Sequence, residues 1–180
     1  MSPYRRIAVS TSRLILVAAT ADVQQAELDD RAVFASRLDV DVPHDWPPFY
    51  NDEHSMRWVL DYMSTHPDHD GWTKWYFLLS RTGRRPMLIG NGGFTGAPSE
   101  DGTVEVGYSI VESYQRQGYA PEAVRGLMSW VFAHAHVKRL IAHTLPELHP
   151  SIRVLEKCGF RFVGAGAEEG TIRYELLPPR

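Results

Sequence analysis

Apolar and polar positions along the chain follow two periods, which predict strands and helices in mixed order. Val124, Leu127 and Val131 share one face of a segment that we predict as a helix over 121–136. Helices are also predicted over 21–38, 55–63 and 151–159. Apolar runs typical of strands occupy the segments 13–20, 75–81, 86–94, 104–111, 139–145, 161–164 and 171–176. This order predicts one mixed α/β domain over 1–180, antiparallel in the middle and with one or more crossovers near the end.

The composition is that of an ordinary globular protein. The 180 residues are 43% hydrophobic and 23% charged, and the net charge of −3 argues against a nucleic-acid partner bound through bulk charge. No stretch approaches the roughly 18 apolar residues of a membrane span, so we expect no membrane partner and no signal peptide. The single cysteine, Cys158, allows no internal disulfide and favours a reducing, cytoplasmic location. No histidine pair has the spacing and third ligand of a metal site, so we expect no metal.

Residues 21–53 are strongly acidic, with nine acidic and two basic side chains and a local net charge of −7. The segment contains a proline-rich loop, VPHDWPPFY, in which Trp46, Phe49 and Tyr50 are aromatic. An acidic surface attracts a cationic amine, and aromatic rings can hold its charge or its apolar part. The alternative is a solvated helix face with aromatic core residues, which we prefer for most of the acids.

The stretch YQRQGYAPEA, residues 114–123, joins a predicted strand to the long predicted helix. Gly118 allows a tight turn with positive φ, and Pro121 suits the first turn of a helix, where no backbone donor is needed. Because a helix N-terminus carries unpaired N–H groups and partial positive charge, such a junction can cradle a phosphate, with Arg116 and Gln117 as further donors. A simple glycine-containing turn explains the local pattern equally well. The stretch lacks the residues of a Walker loop and of a dinucleotide fingerprint.

Several motifs in order along the chain carry a more specific signal. The pattern Q-x-x-G-x-A in the junction resembles the coenzyme A pyrophosphate loop of the GNAT superfamily of N-acetyltransferases. The stretches TSRLILV, LIGNGGF and VEVGYSIV resemble the family's first, third and fourth strands, and HTLPELHPSIRVLEKCGF is similar to the second half of its cofactor site. The resemblance is closest to the branch that contains the N-terminal acetyltransferases of ribosomal proteins. It implies a mixed, mostly antiparallel central sheet with helices on both faces.

The resemblance also implies an activity. An acetyl group would move from acetyl-CoA, the co-substrate, to a primary amine by direct attack, and the acceptor would be a protein N-terminus or a small amine. The chain could instead be an acyl-CoA-binding regulatory domain without turnover, and a weaker third hypothesis is a general nucleotide-binding domain. A homodimer is one assembly that the sequence allows, and the sequence does not determine the oligomeric state.

The same resemblance assigns the cofactor site to the strand end and the junction. Backbone groups of Ser109, Ile110 and Val111 would pair with the pantetheine arm. The pyrophosphate would lie against the junction loop, which comprises Gln115, Arg116, Gln117, Gly118, Tyr119 and Ala120. His149 stands where close relatives tend to have asparagine, and it either donates a hydrogen bond to the cofactor or is simply exposed. Ser151 would border the cofactor and is predicted as the N-cap of the last helix.

Glu105 is the candidate general base. Strand alternation places Val104 and Val106 on the core face and leaves Glu105 on the opposite face, beside Gly107 and Ser109. An amine must lose a proton before it attacks a thioester, and a carboxylate can take that proton directly or through water. Many GNAT members have a glutamate at this place on the strand. The alternative is a glutamate half in water at a frayed strand start.

The proton donor to the leaving thiolate stays open. Many GNAT members use a tyrosine four residues before the final Gly-Phe, and here Leu155 occupies that position. Tyr108, Ser151 or solvent can substitute for it. A backbone N–H near Ile110 is the expected donor to the thioester oxyanion.

The acceptor side is expected in the first half of the chain. In the family, the first two helices and the loop between them wall the acceptor site, so Trp46 and Phe49 are expected to line it. Cys158 shares helical spacing with Ile152 and Leu155, which predicts a buried packing thiol rather than a nucleophile.

Overall fold

An eight-stranded sheet forms the centre of the computed structural model, which describes residues 7–49 and 51–179. The strands are β1 (Ala8–Ser10), β2 (Leu14–Ala18), β3 (Lys74–Leu79), β4 (Met87–Phe94), β5 (Thr103–Ile110), β6 (Arg139–Thr144), β7 (Arg161–Ala165) and β8 (Ile172–Leu176). They lie in the order β1-β2-β3-β4-β5-β6-β8-β7, and all neighbours are antiparallel except β5 and β6, which are parallel. The prediction of a mixed, mostly antiparallel sheet is confirmed.

Five α-helices in the described residues cover both faces of the sheet. They are α1 (Ala21–Asp29), α2 (Arg31–Leu38), α3 (Glu53–Thr65), α4 (Tyr119–Val131) and α5 (His149–Lys157). On one face, α4 and α5 pack against the strands around the fully buried Leu16, Trp75 and Val124. On the other face, α1 and α2 pack around Phe34 and Tyr76. No helix in these ranges has the length and the apolar run needed to cross a membrane.

The helix predicted over 21–38 is two helices that meet at Asp30. The backbone of Asp30 is extended, with φ −155° and ψ 113°, and its side chain accepts hydrogen bonds from the N–H groups of Ala32 and Val33. Aspartate is a strong N-cap because it satisfies such unpaired donors, so a second helix begins directly after the first. Apolar periodicity does not reveal this break.

Two other boundaries differ from the prediction. Strand β1 is absent from the predicted elements because it is only three residues long and mostly exposed, yet it pairs with β2. Helix α4 ends at Val131 rather than at His136. Residues 132–136 form turns closed by shorter hydrogen bonds, such as the one from His134 N–H to Val131 O at 3.2 Å.

Most acidic residues of the segment 21–53 stabilise the fold. The Glu27 side chain is 2% exposed and accepts hydrogen bonds from Lys74 Nζ and Tyr76 Oη, each at 2.7 Å. Burial lowers the pKa of Lys74, and the charge of Glu27 opposes that shift. Asp30 and Asp52 cap α2 and α3. Four further acids form ion pairs, namely Asp22–Arg37, Asp39–Arg85, Asp41–Arg81 and Glu53–Arg57. These contacts support the structural interpretation of the acidic segment.

Strands β5 and β6 separate part-way along their length. Their parallel pairing joins residues 103–105 to residues 139–141. Beyond that point β5 pairs with β4 as far as Ile110, and β6 pairs with β8 as far as Thr144. The two strand ends therefore leave a wedge-shaped opening in the middle of the sheet.

Candidate active site

A cleft of about 1130 Å³ occupies the opening between β5 and β6. Residues 106–110 form one wall and residues 142–145 form the other, while the junction loop and the start of α5 close it. Of the predicted cofactor residues, the cleft is lined by Ser109, Ile110, Gln115, Arg116, Gly118, Tyr119, Ala120 and Ser151. The structure therefore brings most of the predicted cofactor residues to one place.

The backbone of Val111 is already engaged within the protein. Its N–H donates to Ile89 O at 3.0 Å, and its carbonyl accepts from Tyr114 N–H at 3.0 Å. Both groups that the prediction offered to the pantetheine arm are therefore taken, and Val111 also does not line the cleft.

Alternate residues of β5 direct their backbone groups to opposite sides. In an antiparallel pair, every second residue directs its backbone N–H and C=O toward the partner strand. The backbone groups of Ser109 and Val111 therefore point toward β4, whereas those of Tyr108 and Ile110 point into the cleft. The Ile110 carbonyl accepts from Gln115 Nε2 at 2.9 Å. The cleft-facing backbone groups left for a ligand are therefore the Ile110 N–H and both groups of Tyr108, and the side chain of Gln115 buttresses the strand end.

The junction loop presents a row of backbone donors at the N-terminus of α4. Arg116 and Gly118 have positive φ angles of 59° and 81°. None of the N–H groups of residues 116–120 donates to an acceptor in the part of the chain that the structure describes. Left-handed residues in such a turn direct N–H groups to one side, and the helix N-terminus adds partial positive charge. This loop is therefore suited to bind an anion such as a diphosphate.

Arg13 and Glu122 hold the junction loop in place, and neither was identified from the sequence. Arg13 Nε donates to Glu122 Oε2 at 2.7 Å, and its Nη1 donates to Gln117 O at 3.0 Å. The guanidinium lies 4.4 Å from the centroid of the Tyr119 ring. Burial by itself raises the pKa of Glu122, but hydrogen bonds from Thr11 and Arg13 outweigh it and lower that pKa to about 2. The turn between β1 and β2 thereby anchors the first turn of α4.

Besides Val111, two predicted cofactor residues lie outside the cleft, and Ser151 is not the helix cap that was predicted. The Gln117 side chain is exposed, with its amide 3.4 Å from Ser113 O, and His149 is exposed at the start of α5. Ser151 lines the cleft, but the prediction that it caps α5 is wrong. The helix begins at His149 with Leu148 as its N-cap.

Tyr108 places a hydroxyl between β5 and α5. Its Oη donates to Ser151 O at 3.1 Å and lies 3.2 Å from Ser151 Oγ. Burial raises the pKa of Tyr108 to about 12, so this hydroxyl keeps its proton at neutral pH.

Glu105 lies at the last position where β5 pairs with β6, and it points away from α4. Its Oε1 accepts a hydrogen bond from His143 Nδ1 on β6, at 2.8 Å. Beside it on the same face is Gly107, where a Cβ would meet no other group within 4 Å. The Glu105 carboxylate is therefore sterically accessible from the side of Gly107. His143 was not identified from the sequence, because its place beside Glu105 depends on the register between two strands.

The predicted acceptor residues do not line the cleft. Trp46 is a core residue, 7% exposed, whose Nε1 donates to Glu27 Oε1 at 3.2 Å and whose ring stacks on Phe34. Its position is therefore that of a core residue and not of a pocket wall. Phe49 is 89% exposed, and its role in acceptor binding stays a prediction. Tyr50 lies outside the described residues.

Cys158 is a packing residue, as predicted. Its thiol is buried and lies 3.5 Å from Pro121 O, and burial raises its pKa. A buried thiol with a raised pKa is a poor nucleophile. Among residues 7–49 and 51–179, no group of three or more histidine, cysteine or acidic side chains is placed to hold a metal ion.

Residues 13–161 match the family model of the acetyltransferase (GNAT) domain. The chain belongs to the GNAT acetyltransferase family. Among curated relatives, the uncharacterized N-acetyltransferase YjdG of Bacillus subtilis is 36% identical over 73 residues, or 41% of this chain and 44% of the relative. The uncharacterized N-acetyltransferase p20 of Bacillus licheniformis is 34% identical over 94 residues, or 52% of this chain and 49% of the relative. The chain thus spans about half the length or less of these GNAT relatives.

Solved structures share the GNAT fold over nearly the whole chain. The ribosomal-protein-S5-alanine acetyltransferase of Vibrio fischeri superimposes with a TM-score of 0.63 at 18% identity, covering 96% of this chain and 97% of that one. The RimL ribosomal L7/L12 α-N-protein acetyltransferase in complex with coenzyme A gives a TM-score of 0.63 at 18% identity, covering 95% and 98%. The resemblance carried by the sequence motifs is confirmed.

This GNAT protein departs from many family members at one position of the cleft. Leu155 is buried in the core, with 1% exposure, and offers no proton to a leaving group. The neighbouring hydroxyls of Tyr108 and Ser151 both line the cleft. The two hydroxyls also lie close to each other, with Tyr108 Oη 3.2 Å from Ser151 Oγ.

Proposed function

We propose that this GNAT protein transfers an acetyl group from acetyl-CoA to a primary amine, either on a small molecule or at a protein N-terminus. One observation carries the proposal. The opening between β5 and β6 joins a loop of five unpaired N–H groups to the face on which the Glu105 carboxylate lies. Transfer by direct attack needs both features in one cleft, because donor and acceptor must be bound at the same time and the pantetheine arm must carry the thioester from the loop toward the carboxylate.

The chain's own residues divide the work along the cleft. The backbone N–H groups of 116–120 and the Arg116 side chain hold the diphosphate, and the Tyr108 carbonyl and the Ile110 N–H pair with the pantetheine arm. Glu105 takes a proton from the acceptor ammonium, and the neutral amine attacks the thioester carbonyl. The C–S bond then breaks as the attacking nitrogen loses its second proton to solvent, and the thiolate takes a proton from Tyr108, Ser151 or water.

The geometry of β5 favours a different backbone N–H as the oxyanion donor from the one predicted. A strand rises about 3.3 Å per residue, so the Ile110 backbone lies roughly 16 Å along the strand from Glu105. The Tyr108 N–H is only about 10 Å along the strand from Glu105 and faces the cleft. Because amine and thioester must meet between base and donor, Tyr108 N–H suits the developing oxyanion better than the predicted Ile110 N–H.

Steady-state kinetics of Glu105→Gln test the proposal. We expect the wild-type chain to consume acetyl-CoA with at least one amine, and the variant to lose about 10²- to 10⁴-fold in kcat/KM. Acetyl-CoA affinity, measured by calorimetry, should stay unchanged, because Glu105 does not line the cleft in which acetyl-CoA is proposed to bind. If acetyl-CoA binds while neither protein turns over any acceptor, the regulatory acyl-CoA-binding alternative replaces this proposal.

The first acceptors to test are peptide N-termini. Neighbours in fold are named as a ribosomal L7/L12 α-N-protein acetyltransferase and a ribosomal-protein-S5-alanine acetyltransferase. Peptides that begin with serine or alanine should be compared with the same peptides carrying a blocked N-terminus and a free lysine, and with small amines. A mass increase located on the α-amine assigns the acceptor class. A homodimer and a cytoplasmic location stay predictions, and light scattering of the purified chain tests the first.

A further inference from the structure

His143 is the closest polar neighbour of the proposed base. Its Nδ1 lies 2.8 Å from Glu105 Oε1, and the side chains are 17% and 34% exposed. The two residues come from different strands, β5 and β6, at the point where the strands separate. Glu105 pairs with Ile141, and His143 is the next residue of β6 on the same face. The hydrogen bond therefore spans the mouth of the opening.

The chemistry of the contact fixes where the proton lies. An ionised carboxylate only accepts hydrogen bonds, so Nδ1 of His143 must carry the proton and donate it. The other ring nitrogen, Nε2, is buried and has no partner among the described residues. A buried polar atom without a partner costs free energy. The observed ring orientation therefore satisfies Nδ1 through Glu105 and leaves that cost at Nε2.

The surroundings leave one side of the carboxylate free. On one side, His143 is hydrogen-bonded to Oε1. Arg173 on β8 pairs with His143 in the sheet, but its Nη2 donates to Glu175 Oε2 at 3.3 Å. On the other side, Gly107 leaves open space. The second oxygen, Oε2, is thus the one available to an acceptor ammonium that approaches over Gly107.

We propose that His143 is a positioning residue for acetyl transfer, which fixes the Glu105 carboxylate through its Nδ1–H and leaves Oε2 for the acceptor ammonium. This inference rests on the proposed function of Glu105. A base held in one rotamer needs no reorganisation when the amine arrives, and loss of such positioning costs rate rather than cofactor binding.

Kinetics of two His143 variants test this role. His143→Ala removes the donor, so we expect kcat to fall about 10- to 100-fold while the KM for acetyl-CoA stays within about 2-fold. His143→Asn keeps a side-chain N–H near the place of Nδ1, and it should recover most of the rate. His54→Ala, at an exposed histidine on α3, is the matched control and should behave as wild type. In a Glu105→Gln background, His143→Ala should cause no further loss, because His143 acts only through the carboxylate.

Two kinetic results would overturn the proposal. One is a His143→Ala variant with wild-type kcat. The other is a folded His143→Asn variant as slow as His143→Ala. That result would mean that an N–H donor to Glu105 is not sufficient to restore the rate.

A measurement without turnover separates this inference from the proposed function. Nitrogen-15 NMR of the imidazole, assigned by its loss in His143→Asn, should show the Nδ1–H tautomer in the wild type and a change of tautomer in Glu105→Ala. The Nε2–H tautomer in the wild type would refute the hydrogen bond and the inference, even if acetyl transfer is normal. The expected tautomer in a chain that acetylates no amine would refute the proposed function while the contact stands.

Discussion

The space beside Glu105 exists because residue 107 has no side chain. A Cβ at Gly107 would meet no other group within 4 Å, and its φ lies outside the left-handed region that favours glycine. We expect Gly107→Val to fold normally and to raise the KM for the acceptor about 10-fold or more, because the added methyl groups occupy the acceptor's path. Kinetics with varied acceptor, and calorimetry with acetyl-CoA, measure the two effects. Gly107→Ala should give a smaller change, and an unchanged acceptor KM in Gly107→Val would place the acceptor elsewhere.

Single residues differ in how far the sequence alone determines them. The face on which Glu105 lies follows from strand alternation, which is a local rule. In the structure Val104 and Val106 are buried, and Glu105 lies on the opposite, more exposed face of β5. The contact between Glu105 and His143 joins residues 38 apart in sequence and depends on strand register, which no local pattern encodes. Trp46 was expected in a pocket because the family resemblance places the acceptor site against the loop that contains it. It is buried because Glu27, itself buried, accepts its indole N–H.

Among the elements, the start of α4 depends on the turn between β1 and β2. Hydrogen bonds lower the pKa of Glu122 from an ordinary 4.5 to about 2. A depressed folded-state pKa means that the contribution to stability is present above pH 4.5 and is lost as the pH falls toward 2. We therefore expect Glu122→Gln to lower the free energy of unfolding by about 2 kcal/mol at pH 7, and by progressively less below pH 4.5.

Urea unfolding at pH 7 and pH 3 measures this difference. Glu53→Gln is the matched control: Glu53 pairs with Arg57 on α3, both side chains are about two-thirds exposed, and its loss should cost about 0.5 kcal/mol or less. An equal gap between wild type and Glu122→Gln at both pH values would show that the carboxylate charge is not what anchors the loop.

Elements with strong apolar periodicity were predicted, and those set by polar contacts were not. Strands β3, β4 and β5 and helix α4 follow from runs of buried residues. The break at Asp30 follows from a cap, and β1 is held by pairing with β2 rather than by its own apolar content. The junction loop was found from its glycine, whereas its anchor at Arg13 lies about a hundred residues earlier in the chain and was missed.

At the scale of the whole molecule, the cleft exists only in the folded state, because its walls come from β5, β6, α4 and α5. A ligand that binds only the folded state raises the melting temperature. We expect acetyl-CoA at about 100 times its Kd to stabilise the chain by about 2.7 kcal/mol, which corresponds to roughly 5–10 °C. ATP and NAD carry phosphates but no pantetheine arm, so each should give a smaller shift. An equal shift with ATP or NAD would favour the general nucleotide-binding hypothesis.

Two glycines with nearly equal positive φ angles can show whether the junction loop is responsible for this stabilisation. Gly118 in the loop and Gly170 between β7 and β8 have φ angles of 81° and 82°. Alanine at either position is strained by about 1–2 kcal/mol and should lower the melting temperature of the free chain to a similar extent. Only Gly118→Ala also disturbs the N–H groups of residues 116–120, so it should lose most of the acetyl-CoA shift. Gly170→Ala should keep the shift. If both variants keep it, the anion site at the start of α4 is not where acetyl-CoA binds.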